Sequence, residues 1–519
     1  MEKQSNELDK KTADKTIEQF IQKLIPETEL KPKSIEVVTK LPSFLDKMKA
    51  CETHFGTSYA ELDHDIQDAV VLRRLQQMTN TLLLNPLWKD RLGQGGVTSA
   101  PKNFEEWQNI PISDKNTVQD FFSGTRPGIV VPIENNGFEI VASGGTSSGI
   151  PSETVYSLRE LHDTYKIAGD FMGKYQLSNY LKTDLPKWVV TTLADYQMWS
   201  SGTMVGGVLQ HIPGVNYIGA GPIRQDLFQH MMNYSGLKVF MGITRGIALL
   251  SEFATGLSEE ARNSLVVGMY GSGVLSEYDR CLLKTVYPNI NILSYFAATQ
   301  AETIGLQLDA EYPELAAIPG LHLIEIVDKD GKWVKEGEEG DLVVTRLHAH
   351  EAPVPRFKIG DKMVRRPNID GKGLKTQQFE FAGRSADIIH LGDTQFPALP
   401  TYESLSKSLV AGKILDLPAV AKEIQIINNR KNRTLTILAA VDDAEEKTSK
   451  LNEALENKGT SKLVMEALTK SLSLFNKGEA STDYLEHTGY KFELKLVNKD
   501  SEEIFRTSVG KTPLLRDII

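Results

Sequence analysis

The chain has 519 residues, which exceeds the size of one ordinary core, so at least two domains are expected. Charged residues make up 24% and hydrophobic residues 40%, as in a soluble globular protein. The net charge of -10 argues against nucleic-acid binding, because a protein that binds nucleic acid needs a basic surface.

The cysteines and the amino terminus constrain the compartment. Cys51 and Cys281 cannot form a disulfide framework or a multi-cysteine zinc site, and a reducing compartment fits them. Met1 to Lys15 is rich in charged residues and lacks an apolar signal segment, and no later run is long enough to span a membrane. We therefore predict a cytoplasmic protein with no membrane partner and no nucleic-acid partner.

The first half of the chain contains two helical patterns and one distinctive loop. Thr16 to Leu24 and Asp65 to Leu84 have helical periodicity. An apolar run, Phe138 to Ala142, then opens into a loop made only of glycines and hydroxyl residues. The loop consists of Ser143, Gly144, Gly145, Thr146, Ser147, Ser148 and Gly149.

This loop is suited to holding phosphate. Its glycines can adopt positive φ and bring backbone N–H groups close to an anion, while its hydroxyls add donors. A plain glycine-serine turn between a strand and a helix is an open alternative. Ile150 and Pro151 stand where a kinase or GTPase loop needs Lys and then Ser or Thr, so that type of loop is excluded. Ser157 and Glu160 have the spacing of a helix capping box, which predicts the order strand, loop, strand, helix.

The second half of the chain changes character twice. From Lys187 onward, short apolar runs between helix-sized segments predict parallel strands with crossover helices. These runs are Trp188 to Val190, Val239 to Met241, Leu265 to Val267, and Ile292 to Leu293. After about residue 318, the pattern predicts antiparallel strands at His322 to Val327 and Asp341 to Arg346. Near Gly383 a smaller α+β unit begins, with a hairpin, a helix and a strand predicted at Ile424 to Val441, Ser461 to Phe475 and Phe492 to Val497.

Several short motifs then occur in a fixed order. They are Asn85 to Leu92, Ile110 to Lys115, the glycine-hydroxyl loop, Gly271-Ser272-Gly273, Tyr295 to Glu302, Arg356 to Asp361, Gly383 to Asp387, and Thr507 to Lys511. In this order the chain resembles the adenylate-forming superfamily of acyl-CoA synthetases, most closely the phenylacetate-CoA ligase branch. The resemblance covers roughly residues 80 to 519. It implies an α/β fold with a large multi-subdomain amino-terminal α/β domain, residues 1–382, and a smaller mobile α+β carboxyl-terminal domain, residues 383–519.

The resemblance also implies roles for individual residues. Lys511 would be the catalytic lysine that bridges the carboxylate and the phosphate oxygens, with an ordinary exposed lysine as the alternative. Asp361 would accept hydrogen bonds from both ribose hydroxyls and Arg384 would add a donor, with surface salt-bridge residues as the alternative. Asp387 would be the hinge. The remaining predicted residues for ATP or AMP are the glycine-hydroxyl loop, Gly271, Ser272, Gly273, Phe296, Ala297 and Thr299, and Thr299 is also predicted to be catalytic through the α-phosphate.

The chain departs from the family pattern at two places. Ile150 stands where the family loop usually has a lysine, and the loop has one residue more than the commonest form, a length similar to that of plant acyl-acid amido synthetases. Gln300 replaces the Glu that binds Mg²⁺ in the family motif. A shifted alignment would use Glu302 instead, so both residues are candidate metal ligands.

The acyl pocket is less readable from the sequence. By position in the family, Tyr196, Met241, Gly242 and Ile243 should approach the acid, and their character suits an aryl or medium-sized acyl group. They could equally be core and turn residues. The histidines are scattered without ligand spacing, so none is assigned to metal or catalysis.

The predicted reaction is ATP-dependent activation of a small carboxylic acid to an acyl-adenylate, followed by transfer to coenzyme A. The predicted cofactors are ATP, Mg²⁺ and coenzyme A. Transfer to a carrier protein or an amine is one alternative, and a non-catalytic adenylate-binding protein is another. A homodimer is kept as an open possibility.

Overall fold

The computed structural model describes residues 16–142, 153–371, 373–385, 387–392, 394–403, 421–455, 464–465, 468, 485, 488–507 and 511–519. The glycine-hydroxyl loop, Ser143 to Gly149, lies outside the described residues. Most of the helix predicted at Ser461 to Phe475 also lies outside them, although residues 464–465 and 468 are helical.

The described residues before 138 form helices, strands and helices alternate between 138 and 298, and the segment from 302 to 397 is formed of strands. The strands are β1 Phe138–Ala142, β2 Glu153–Ser157, β3 Lys187–Thr191, β4 Asn216–Gly219, β5 Leu237–Ile243, β6 Leu265–Gly271, β7 Asn291–Ala298, β8 Glu302–Gln307, β9 Leu315–Ala317, β10 His322–Val327, β11 Glu339–Arg346, β12 Phe357–Asp370, β13 Lys375–Arg384, β14 Ile388–Leu391, β15 Thr394–Pro397, β16 Glu423–Asn429, β17 Thr434–Val441, β18 Lys491–Asn498 and β19 Leu515–Ile518.

The α-helices are α1 16–24, α2 Glu27–Leu30, α3 Ile35–Thr39, α4 Phe44–Phe55, α5 His64–Leu82, α6 Pro86–Gln94, α7 Phe104–Trp107, α8 Lys115–Phe122, α9 Leu158–Phe171, α10 Ser201–Gln210, α11 Gln225–Met232, α12 Thr244–Ala248, α13 Glu259–Asn263, α14 Glu277–Val286 and α15 Ala444–Leu455, and residues 398–403 are also helical.

An 11-stranded mixed sheet organises the larger part of the molecule, in the order β10-β11-β12-β13-β9-β8-β7-β6-β5-β3-β4. Within the group β4, β3, β5, β6 and β7, each pair of neighbouring strands is parallel. In the rest of the sheet, which continues from β7 through β8, β9 and β13, neighbouring strands are antiparallel. All seven residues of β6 are buried, as expected for a strand covered by helices on both faces. The four apolar runs singled out in the sequence are β3, β5, β6 and β7, so the prediction of parallel strands is confirmed.

The amino-terminal helices are attached to this sheet by buried polar contacts. The guanidinium of Arg74, on α5, donates from Nε to the carbonyl of Leu347 at 2.7 Å and from a terminal nitrogen to the carbonyl of Ala349 at 2.8 Å. Arg74 is only 1% exposed, so these bonds satisfy a charge held inside the core. In the described residues, no helix is long and apolar enough to cross a membrane.

The segment that flanks the glycine-hydroxyl loop has the predicted order. β1 and β2 pair antiparallel on either side of the loop, and α9 follows directly. Ser157 is the N-cap of α9, and its hydroxyl accepts from the backbone N–H of Glu160 at 3.2 Å. The Glu160 side chain does not complete a capping box. It is buried instead, with a carboxylate oxygen 3.3 Å from the guanidinium of Arg346.

A second, four-stranded sheet has the order β18-β17-β16-β19. The predicted hairpin is β16 and β17, which pair antiparallel, and the predicted strand at Phe492 is β18. Ile426, Leu435 and Phe492 share a buried cluster with Ile389 and Phe396 of the β14-β15 hairpin. The mixed α/β architecture with a smaller carboxyl-terminal unit agrees with the predicted fold class.

Candidate active site

A cleft of about 2110 Å³ opens at the carboxyl ends of β5, β6 and β7. In α/β sheets, ligands bind beyond the carboxyl ends of parallel strands, because loops and helix starts converge there. Residues of both sheets line the cleft. They include Trp199, Ile243, Gly271, Phe296, Thr299, Asp361 and Arg384 from the first 384 residues, and Lys422, Arg506 and Lys511 from the carboxyl-terminal part.

Asp361 and Arg384 face each other across β12 and β13. Their Cα atoms are register partners, and Nε of Arg384 lies 3.7 Å from a carboxylate oxygen of Asp361. Burial raises the pKa of the Asp361 carboxyl, and the positive charge of Arg384 opposes that rise. Gly360 has φ of +100°, which a side chain would strain, and it places Asp361 at the cleft. The two residues predicted to bind ribose are therefore together at one edge of the cleft.

Phe296 and Ala297 lie near the end of β7 and line the cleft. The Phe296 ring is partly buried, with its centre 5.8 Å from the ring centre of Phe381. Ala297 is exposed. An aromatic face at a cleft wall can stack on a flat heterocycle.

The segment Gly271-Ser272-Gly273 follows β6 and also lines the cleft. A Cβ atom at Gly271 would lie 2.6 Å from the Tyr295 ring, so only glycine fits there. Ser272 has φ of +71°, a left-handed conformation. The Thr244 hydroxyl donates to the Gly271 carbonyl at 3.1 Å, which attaches the end of β6 to the start of α12.

Thr299 lies in the turn between β7 and β8, and a buried tyrosine fixes its backbone. The Tyr156 hydroxyl donates to the Thr299 carbonyl at 2.8 Å. The guanidinium carbon of Arg346 lies 4.1 Å from the centre of the Tyr156 ring. The turn is thus anchored to β2, the strand that follows the glycine-hydroxyl loop.

The two candidate metal ligands have different environments. The Glu302 side chain is buried, and its Oε2 accepts from the Thr164 hydroxyl at 2.7 Å. Burial, reinforced by the charge of Glu160, raises the pKa of Glu302 to about 8, which favours the uncharged acid at neutral pH. Glu302 also lines the cleft, and a bound divalent cation would favour its ionised form by stabilising the carboxylate charge. Gln300 lines the cleft with a neutral amide, and its Nε2 is buried without a hydrogen-bond partner among the described residues.

The donor set for a metal ion is therefore sparse. Within the described ranges, no group of three His, Cys, Asp or Glu side chains is placed to hold a metal ion. The amide oxygen of Gln300 and the carboxyl of Glu302 both line the cleft, and each could supply one ligand. Mg²⁺ can be bound with few protein oxygens when phosphate oxygens supply others.

Lys511 comes from the carboxyl-terminal part and faces the same cleft. Its Nζ lies 4.8 Å from the centre of the Trp199 ring. Burial and the nearby charge of Arg384 lower the pKa of Lys511 to about 8, while Asp361 opposes that change. The backbone N–H of Lys511 donates to the Thr507 hydroxyl at 3.0 Å, and the N–H of Thr507 donates to the Lys511 carbonyl at 2.8 Å.

Asp387 lies just after β13, where the chain leaves the large sheet. Its backbone N–H donates to the Arg384 carbonyl at 3.1 Å, and its carbonyl accepts from Ala398 at 2.9 Å. Burial raises the pKa of its carboxyl. The neighbouring Ser385 hydroxyl donates to Asp341 at 2.9 Å, so the segment before the predicted hinge is attached to β11.

The four predicted acyl-pocket residues are not all at the cleft. Its described lining includes Ile243 but not Tyr196, Met241 or Gly242. Met241 is 3% exposed and packs in the core below the strand end. Tyr196 begins a tight turn that closes on Trp199, with positive φ at the two residues between them, and its side chain is 48% exposed. The backbone carbonyl of Gly242 accepts a hydrogen bond from the Tyr295 hydroxyl at 3.1 Å.

Other lining residues had no assigned role in the sequence. They are Met204 and Val208 on α10, Arg245 and Ala248 on α12, and Arg280 on α14. Each belongs to a helix that follows one of the parallel strands. The sequence could have indicated these lining residues through that position, because crossover helices begin at the carboxyl edge of the sheet.

The chain was compared with family models, with curated proteins and with solved structures. No family model matches the chain, and no curated protein matches it. Among solved structures, 2-hydroxyisobutyryl-CoA ligase in its postadenylation state with 2-HIB-AMP aligns at a TM-score of 0.66 and 15% identity, over 88% of this chain and 91% of that chain. AtGH3.15 acyl acid amido synthetase in complex with 2,4-DB aligns at 0.61 and 13% identity, over 92% of this chain and 95% of that chain.

These matches show that the chain has the fold of adenylate-forming ligases, as the order of its motifs predicts. The same 2-hydroxyisobutyryl-CoA ligase in its thioesterification state aligns less well, at a TM-score of 0.54 and 15% identity, over 89% of this chain and 91% of that chain.

Proposed function

We propose that this protein is an ATP-dependent ligase that activates a small carboxylic acid as an acyl-adenylate and transfers the acyl group to coenzyme A. One observation carries the proposal. Lys511, from the carboxyl-terminal part, shares a cleft with the Asp361–Arg384 pair of the large sheet. A cation, a paired carboxylate and an aromatic wall in one cleft suit a nucleotide and a negatively charged acid. The phenylacetate-CoA ligase branch is our proposal for the nearest functional class.

In the first half-reaction, the acid's carboxylate oxygen would attack the α-phosphorus of ATP. The new bond joins the carboxylate oxygen to the α-phosphorus and gives a mixed acyl–phosphate anhydride, and the bond that breaks joins the α-phosphorus to the oxygen bridging it to the β-phosphorus, so pyrophosphate leaves. The attack brings like charges together, and donors placed where charge develops lower the barrier. We assign Lys511 to the carboxylate and α-phosphate oxygens and Thr299 to the α-phosphate.

The nucleoside would be held by residues on both sides of the cleft. Asp361 would accept hydrogen bonds from the ribose hydroxyls with Arg384 beside it, and Phe296 would stack on the adenine next to Ala297. The Gly271 to Gly273 segment would approach the nucleotide with its backbone. The glycine-hydroxyl loop, Ser143 to Gly149, would surround the β- and γ-phosphates.

Mg²⁺, if it is used, would neutralise phosphate charge and be held mainly by phosphate and water, with Gln300 as the preferred protein ligand. The chain's own cations reduce its dependence on the metal. Lys115, Lys358 and Lys511 all line the cleft.

In the second half-reaction, the thiol sulfur of coenzyme A would attack the acyl carbon and AMP would leave with its phosphate oxygen. We propose that residues 1–382 and 383–519 are the two domains, and that the second pivots at Asp387 between the half-reactions. The 2-hydroxyisobutyryl-CoA ligase structures, with 2-HIB-AMP and with coenzyme A in the thioesterification state, support this order.

The acceptor is the least constrained part of the proposal. The similarity to an acyl acid amido synthetase favours an amine as the second candidate. A carrier-protein thiol and a homodimeric assembly stay predictions, as does the cytoplasmic location.

Acid-dependent exchange of labelled pyrophosphate into ATP, with a panel of aryl and aliphatic acids, tests the first half-reaction. Mass spectrometry of products formed with coenzyme A, or with an amino-acid mixture, identifies the acceptor. Lys491→Ala, on the exposed edge of β18, is the matched control for Lys511→Ala. If ATP or AMP binds but no acid supports exchange, the adenylate-binding alternative replaces the ligase.

A further inference from the structure

Two arginines line the part of the cleft that lies beyond β5 and β6. Arg245 is the second residue of α12, directly after the end of β5, and Arg280 lies on α14. The two helices pack against each other, and both side chains face the cleft while remaining partly buried. Two guanidinium groups therefore belong to one wall.

Arg245 lacks a counter-charge. In the part of the chain that the structure describes, its guanidinium has no hydrogen-bond or ion-pair partner. Arg280 donates to the Tyr270 hydroxyl and lies over that ring, 5.1 Å from its centre, and has no ion pair with a described carboxylate. The guanidinium of Arg245 therefore has donors available to an anionic ligand in the cleft.

The nearby carboxylates are already engaged. Glu252 binds Lys422, with 2.9 Å between Oε1 and Nζ, and Asp279 accepts from the Ser276 hydroxyl at 2.7 Å. Burial raises the pKa of Asp279 to about 6, and the carboxyl is still largely ionised at neutral pH. Neither Glu252 nor Asp279 forms an ion pair with Arg245 or Arg280 among the described residues.

Arg245 is well separated from the proposed ribose pair, although it follows Thr244, whose hydroxyl contacts Gly271 of the proposed nucleotide segment. In the sheet order, β5 and β13 are separated by β6, β7, β8 and β9. Neighbouring strands lie about 4.8 Å apart, so Arg245 stands on the order of 20 Å from the proposed ribose pair. Its neighbours on the cleft wall are the apolar Met204, Val208 and Ala248, which suit the carbon body of an acid.

We propose that Arg245, supported by Arg280, binds a second anionic group on the acid substrate, so that the preferred substrate is a dicarboxylic acid or an acid with a comparable distal oxyanion. This inference rests on the proposed ligase function and deepens it. One carboxylate meets the α-phosphate near Thr299 and Lys511, the apolar wall contacts the intervening carbons, and the distal carboxylate accepts from the Arg245 guanidinium.

Pyrophosphate exchange with matched acids tests the proposal. Hexanoate is compared with adipate, and phenylacetate with 4-carboxyphenylacetate. The wild type should use the diacid of a pair at least about tenfold better, as expected for a charge-assisted pair in a partly buried site. Arg245→Met should raise KM for the diacid roughly 10- to 100-fold with little change in kcat. The same variant should change KM for the monoacid by no more than about twofold. Arg245→Lys should recover part of the loss in diacid use.

Controls separate a local from a general effect. Arg224→Met removes an exposed arginine that already pairs with Asp226 at 2.7 Å, and it should change KM for neither acid. The thermal midpoint of each variant checks folding. Arg280→Met should weaken the diacid preference less than Arg245→Met does, because Arg280 is partly engaged by Tyr270.

Two results would overturn the inference while leaving the ligase intact. One is an Arg245→Met variant that keeps the wild-type ratio of diacid to monoacid. The other is a variant with unchanged exchange but a raised KM for coenzyme A, which would assign the arginine to a phosphate of coenzyme A.

If the wild type shows no exchange with any acid, the ligase proposal fails instead. Calorimetry of adipate with AMP present still decides the inference, because loss of binding in Arg245→Met alone supports it and equal binding refutes it.

Discussion

The ammonium nitrogen of Lys511 lies 4.8 Å from the centre of the Trp199 ring, so a lysine near the end of the chain contacts an aromatic residue from its first half. The same lysine is close enough to Arg384 and Asp361 for both charges to influence its pKa. The carboxyl-terminal part is thereby docked in an arrangement that places its lysine over the cleft.

Lys511→Ala should abolish acyl-adenylate formation and leave the protein folded. The lysine supplies a positive charge where carboxylate and phosphate meet. The variant should still form thioester from pre-made acyl-adenylate, because that step uses the other arrangement. Acid-dependent pyrophosphate exchange near the wild-type rate would remove Lys511 from the catalytic role.

The pH dependence of adenylation should have an alkaline limb set by Lys511. Its pKa of about 8 means that the ammonium is present below pH 8 and is lost as pH rises through that value. The value of kcat/KM for exchange should therefore fall above about pH 8. Trp199→Leu should move the limb to lower pH, because the ring stabilises the cation. A limb that stays in place in that variant would assign it to another group.

Asp361→Ala should weaken ATP binding and have little effect on the free acid. A hydrogen bond to a charged group contributes about 1.5–3 kcal/mol, or roughly ten- to a hundredfold in affinity. Asp361 lies on β12, several strands away from the apolar wall of the cleft. Calorimetry with ATP and with the acid measures both effects, and unchanged ATP affinity would remove Asp361 from the ribose site.

The sequence predicted the framework of the site well because strand ends define it. The apolar runs at β5, β6 and β7 are long enough to identify buried parallel strands, and parallel strands bring their carboxyl ends together. Asp361 and Arg384 were predicted to bind one sugar, and their Cα atoms are register partners.

Side-chain direction and charge balance were harder to predict. Met241 lies two residues before the end of β5, and only the packed structure shows that its side chain fills the core rather than the cleft. The positive φ values of Gln197 and Met198 turn Tyr196 toward solvent, and neither residue type signals that conformation. Arg245 becomes informative only after Glu252 is seen to pair with Lys422, and that contact joins parts of the chain 170 residues apart.

The ion pair between Glu252 and Lys422 should favour the adenylation arrangement. Glu252 precedes α13, Lys422 precedes β16, and their charged atoms are 2.9 Å apart. Because Glu252 is partly exposed, the pair should contribute about 0.2–1 kcal/mol. A double-mutant cycle of Glu252→Gln and Lys422→Met on the exchange rate should show that coupling at low salt and lose it at high salt. Additive single effects at low salt would show that the contact does not bias the arrangement.

Gln300 and Glu302 provide the last test, because their substitutions separate two ways of holding Mg²⁺. If Gln300 occupies the metal position, Gln300→Glu should lower the Mg²⁺ concentration needed for exchange, since it restores a carboxylate beside a hard cation. Glu302→Gln should then be nearly silent, because the Glu302 carboxyl is buried against the Thr164 hydroxyl at 2.7 Å, an interaction that an amide can keep. Titrating Mg²⁺ in the exchange assay for both variants measures this. If Glu302→Gln instead strongly lowers adenylation and raises the Mg²⁺ requirement while Gln300→Glu changes little, the metal belongs to Glu302, which also lines the cleft.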